Sequence, residues 1–119
     1  MVTVTVNTVQ DEIAAVEISG HADYAEHGQD LVCAGVSSIG VGILNALEEL
    51  AEGECSLQMD SGFISIHVLN RHNETVQLIL KVMLIQFQTM TETYKKYIQI
   101  QQMEVAFWLY LNVTGESVF

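Results

Sequence analysis

The chain has 119 residues, half of them apolar, no proline, and four Lys+Arg against fifteen Asp+Glu, for a formal net charge of −11. That length sets the expectation of one domain with a core of its own, and the apolar half excludes disorder. Residues 1–70 contain eleven acids and neither Lys nor Arg, so nucleic acid and anionic membrane surfaces are poor partners and a cationic partner fits better. Acidic residues that merely keep an apolar domain soluble are the plainer explanation of the same charge.

Val2, Val4 and Val6 alternate with Thr3, Thr5 and Asn7, which predicts a half-buried strand over residues 2–8. Gln10-Asp11-Glu12 is polar enough to turn, and Ile13, Val16 and Ile18 lead into a second strand ending at Ser19-Gly20. Residues 21–29 are short on aliphatics and longer than a usual connection, the mark of a binding loop. Asp30 is a good N-cap for a helix from Leu31 to about Ala51, with Gly53 as its stop. Apolar and small residues run nearly all the way round this helix, which predicts cover on more than one side. The uncharged stretch 31–47 falls short of the ~20 apolar residues a membrane span needs, and the N-terminus lacks the features of a signal peptide.

Residues 56–59 and 63–69 flank the turn Asp60-Ser61-Gly62, a second hairpin with Ile64, Ile66 and Val68 sharing one face. Asn73 caps a second helix, in which Val76, Ile79, Leu80, Met83, Leu84 and Phe87 form the core stripe and Lys95 and Lys96 occupy the last turn. Residues 97–101 alternate as a short fifth strand. The order β-β-α-β-β-α-β predicts an α+β fold, a mainly antiparallel sheet with both helices packed on one face. One domain then covers residues 1–102, and residues 103–119 form a C-terminal extension whose apolar centre, 105–111, fits a strand or a short helix equally.

Cys33 and Cys55 are too few for a disulfide framework and read as reduced thiols. His21 directly follows the second strand, and Cys33 falls in the predicted first helical turn, where unpaired N–H groups and the dipole favour a thiolate. A neighbouring imidazolium would favour it further, and the interval 22–32 is long enough to let the two side chains meet. By spacing alone a small core cysteine and a satisfied polar histidine are the commoner explanation. His21, His27 and Cys33 as metal ligands is a weaker reading, since no CxxC or HxxxH spacing exists. Asp30 could orient His21 as well as cap the helix, and Ser37 lies one turn after Cys33 on the same face. Gly20 and Gly28 bracket the loop as candidate hinges, and Cys55 has no nearby His and is expected to be inert.

Gly20-His21-Ala22 followed by Gly28-Gln29-Asp30-Leu31-Val32-Cys33-Ala34-Gly35-Val36-Ser37 resembles the signature of the bacterial ribosomal-processing cysteine protease Prp family, a likeness extending to about Gln101. The resemblance implies a small cytoplasmic α+β homodimer that needs no cofactor and touches neither nucleic acid nor membrane. It also implies a substrate, the precursor of large-subunit ribosomal protein L-twenty-seven, from which an N-terminal extension is removed at an aromatic-rich motif. His21 would then be the general base, Cys33 the nucleophile, and residues 22–29 a mobile segment that orders over the peptide. A basic ribosomal substrate would suit the acidic first half of the chain. The competing class is a non-catalytic acidic dimeric module that binds a basic ribosomal protein or assembly factor. A thiol hydrolase acting on another acyl group is the third.

Overall fold

A computed structural model describes residues 1–20 and 29–106, with residues 29 and 30 described by backbone only. The elements follow in the expected order: β1 (Val2–Val9), β2 (Glu12–Ser19), α1 (Gln29–Leu50), β3 (Cys55–Asp60), β4 (Phe63–Val68), α2 (Glu74–Tyr94) and β5 (Ile98–Glu104). The fold is α+β, and the sheet order is β3-β4-β2-β1-β5. Both hairpins and the β2–β4 pair are antiparallel, and β5 runs parallel to β1 along its other side.

Alternation explains the layers. Val2, Val4 and Val6 of β1 are buried, and the register sets Val4 opposite Ile18, Val6 opposite Val16, and Val16 and Ile18 opposite Ile66 and Ile64. These join Val32, Val36, Ile43, Leu44 and Leu47 of α1 and Val76, Leu80, Met83 and Phe87 of α2 in one core cluster. Both helices therefore cover the same face of the sheet. Gly40 shows how closely α1 approaches it: a Cβ there would sit 2.5 Å from Ile64 Cδ1.

Several boundaries differ from the sequence reading for physical reasons. The first turn is a two-residue one, with Gln10 and Asp11 both at positive φ (51° and 65°), the geometry that matches strand twist. The helix α1 begins at Gln29, so Asp30 is its second residue rather than its N-cap. Asn73 does cap α2, accepting the Val76 N–H at 3.0 Å. That helix ends at Tyr94, which leaves Lys95 as the C-cap and Lys96 beyond it. Pairing with β1 carries β5 to Glu104, since Gln102, Met103 and Glu104 find partners in Val6, Asn7 and Thr8.

The expectation of a helix covered on several sides is also corrected. Within one chain α1 has a single core stripe, and Leu31, Ala34, Ser38, Val41 and Asn45 are exposed. Residues 31–50 pass by length and composition as a membrane span, contrary to the shorter stretch judged from sequence, and the core helix of a folded domain passes the same test. Here Val32, Val36, Ile43, Leu44 and Leu47 are committed to the core.

Candidate active site

A cavity of about 150 Å³ opens where β1 begins, β2 ends and the β3–β4 turn closes against the first turns of α1. Cys33, Val36 and Ser37 line it from the helix, Gly20 and Ile18 from β2, and Asp60, Gly62 and Phe63 from the second hairpin. An apolar space of that order holds a benzene-sized group.

Each wall has a local cause. Gly20 has φ +102°, and a Cβ there would lie 2.3 Å from the Met1 carbonyl oxygen, so only glycine lets the chain leave β2 beside the start of β1. Its N–H donates to the Gly62 carbonyl at 3.1 Å, which fastens the strand end to the β3–β4 turn. Ser61 N–H donates to Asp60 Oδ1 at 2.8 Å and shapes that turn from the other side.

Cys33 is a free, half-buried thiol. It is the fifth residue of α1, not a first-turn residue, so its own N–H is bonded within the helix. Helical side chains lean toward the N-terminus, which brings the thiol over the first turn, where the N–H groups of Gln29, Asp30 and Leu31 have no helical acceptor. Ser37, one turn on, lines the same cavity. Cys55 sits in another environment at the start of the edge strand β3. Burial, with Glu54 adding to it, pushes its thiol up to about 11, so it is a poor nucleophile at neutral pH.

His21 and the loop to Gly28 lie outside the described residues, as does the Asp30 side chain. Of the metal-ligand set His21, His27 and Cys33, only Cys33 is described. Sequence reasoning missed the hairpin wall of Met59, Asp60, Gly62 and Phe63, which comes from residues far along the chain. The one signal for it was Gly62 in a turn that ends two strands at the same level as Gly20.

A half-exposed cysteine over the open turn of a helix, at the mouth of a side-chain-sized cavity, defines a thiol-dependent hydrolase site. The family model described as Cysteine protease Prp matches residues 1–99, and the chain belongs to that family. It is 38% identical over 104 residues to the ribosomal processing cysteine protease Prp of Staphylococcus aureus, covering 84% of this chain and 97% of that one. The Bacillus subtilis protein of the same name is 33% identical over 107 residues, covering 84% and 96%. The crystal structure of the S. aureus protease with a substrate peptide superimposes with a TM-score of 0.78 at 34% identity, covering 86% of this chain and 99% of that one. Its complex with a covalently linked product peptide gives 0.75 at 35% identity, with the same coverage.

Proposed function

We propose that this protein is a cytoplasmic, homodimeric cysteine endopeptidase of ribosome biogenesis, and that it removes the N-terminal extension of the L-twenty-seven precursor. The observation that carries this reading is Cys33 lining the cavity together with Gly20, the residue that immediately precedes His21 in the chain. Peptide complexes of the S. aureus relative support a peptide substrate. The first seventy residues, without Lys or Arg, suit a cationic ribosomal protein. The exposed Leu78, Val82 and Ile85 along one side of α2 leave apolar surface for a second copy.

In this reading His21 takes the Cys33 thiol proton, and the sulfur attacks the scissile carbonyl carbon. The N–H groups of the first turn of α1 face the oxyanion that forms. As the C–N bond breaks, His21 returns the proton to the leaving amine and a thioester remains on Cys33. Water, deprotonated by His21, then attacks that thioester and frees the acid and the thiol. The test is mass spectrometry of a synthetic peptide spanning the precursor junction. Wild-type protein cuts it once, whereas Cys33→Ala and His21→Ala leave it whole while keeping the wild-type circular dichroism spectrum. Cleavage that survives either substitution overturns the assignment.

A further inference from the structure

The family match stops at residue 99, and β5 carries the remaining chain to a specific place on the sheet. Met103 pairs with Asn7 and Glu104 with Thr8, and the Val105 N–H donates to the Thr8 carbonyl at 2.7 Å. Because Val2, Val4 and Val6 face the helices, Asn7 and Met103 face away from them, and so do Val9 and Val105 two residues further on. The register shift between Asn7 and Thr8 makes a bulge in β2 that turns Ala14 outward beside Ala15.

Val9, Ala14 and Val105 form a small cluster separate from the main core. Val9 is 0% and Ala14 1% exposed, although both helices lie on the other side of the sheet. The Asn7 carboxamide oxygen, on the same face, is also shielded from water. Among the described residues, Val105 is the apolar side chain packed against the Val9–Ala14 pair.

We propose that residues 107–111, Phe-Trp-Leu-Tyr-Leu, fold back over this patch of their own chain and complete a second, minor core on the helix-free face of the sheet. Only Ala106 separates them from Val105, and all five are apolar. Extended, five residues reach ~16 Å, while the three strands β5, β1 and β2 span only ~10 Å, so the segment is long enough to cross from its own strand to Ala14. Six residues of β2 separate Ala14 from Gly20, which places the patch ~20 Å from the Cys33 cavity. The extension therefore braces the sheet without occupying the substrate cleft.

Trp108 is the single tryptophan, so its fluorescence reports on this contact in the intact chain. In the native protein, emission is expected to be blue-shifted and iodide quenching several-fold weaker than in the urea-unfolded chain, both unchanged on dilution. Ala14→Glu should red-shift the emission and raise the quenching while circular dichroism and Cys33-dependent cleavage persist. Native quenching equal to that of the unfolded chain overturns the proposal. So does a blue shift that is lost on dilution, which would make a second copy the cover, or an emission indifferent to Ala14→Glu in a folded variant.

Discussion

The two ends of the sheet are built on different principles. At the cleft end the ties between strands are backbone ones, Val2 N–H to the Tyr97 carbonyl at 2.8 Å and Gly20 N–H to the Gly62 carbonyl at 3.1 Å. At the far end, buried side chains do the joining. Gln77 of α2 accepts from the Ile13 N–H at 2.8 Å and donates to the Ile13 and Arg71 carbonyls at 2.8 and 2.9 Å. The buried Arg71 reaches the Glu12 carboxylate at 3.2 Å, and His72 Nδ1 lies 3.0 Å from the same carboxylate. One end is latched by side chains that cannot be given up cheaply, and the other keeps a cavity among small and apolar groups. That division lets a peptide be accommodated at one end without loosening the whole sheet.

The two cysteines report on the two ends, Cys33 at the cleft and Cys55 opposite Val68 at the latched end. With its thiol pushed from 9.0 up to about 11, Cys55 holds on the order of a hundredfold less thiolate at neutral pH than an ordinary cysteine. A limiting iodoacetamide pulse at pH 7, read by peptide mapping, is therefore expected to label Cys33 first by a wide margin. Equal labelling would remove the chemical distinction between the ends.

Next in size is the latch itself. Gln77→Leu keeps the volume and strands three buried backbone groups, so stability should fall by about 2–4 kcal/mol in urea unfolding, with peptide cleavage per folded molecule unchanged. A loss below ~0.5 kcal/mol would mean that the latch contributes little. Gly20→Ala tests the opposite end. It forces a side chain into a left-handed conformation against the Met1 carbonyl, which costs about 1–3 kcal/mol and displaces the cavity wall. Here cleavage should drop more than stability does. The reverse pattern would show that Gly20 serves the fold alone.

Much of the helix-facing layer was legible in the sequence because its periodicities are strong. The alternating valines of β1, the Ile64-Ile66-Val68 face and the Asn73 cap all follow from side-chain direction and hydrogen-bond chemistry that act locally. The start of α1 was misread because Asp30 satisfies a cap pattern that a helix beginning at Gln29 overrides. The length of β5 was misread because Gln101, Gln102 and Met103 lack alternation, and only pairing with β1 extends the strand. At the site, Cys33 and Ser37 were found by helical spacing, whereas Met59, Asp60 and Phe63 belong to the cavity through tertiary packing that no local pattern encodes. The Gln77 latch was missed for the same reason, since a glutamine on a helix stripe gives no sign that Ile13 awaits it.

The smallest expected effect concerns Glu104, where β5 meets the turn of the first hairpin. The Thr8 hydroxyl donates to its carboxylate and the Gln10 N–H donates to it at 2.6 Å. The Thr8 hydroxyl above all, with the backbone donors Gln10 and Asp11 adding to it against a small opposing desolvation, holds this carboxyl below the usual glutamate range. A carboxylate whose pKa is depressed by folding stabilises the folded state above its unfolded pKa, and that contribution is lost as pH falls through the folded value. The thermal midpoint of Glu104→Gln should therefore lie slightly below wild type at pH 7, and the gap should close on acidification through the carboxylate range. Because the group is fully exposed, added salt should shrink the gap as well. A gap that is the same at pH 7 and at pH 3 would show that Glu104 acts by shape and not by charge, leaving the latched end held by Gln77 and Arg71 alone.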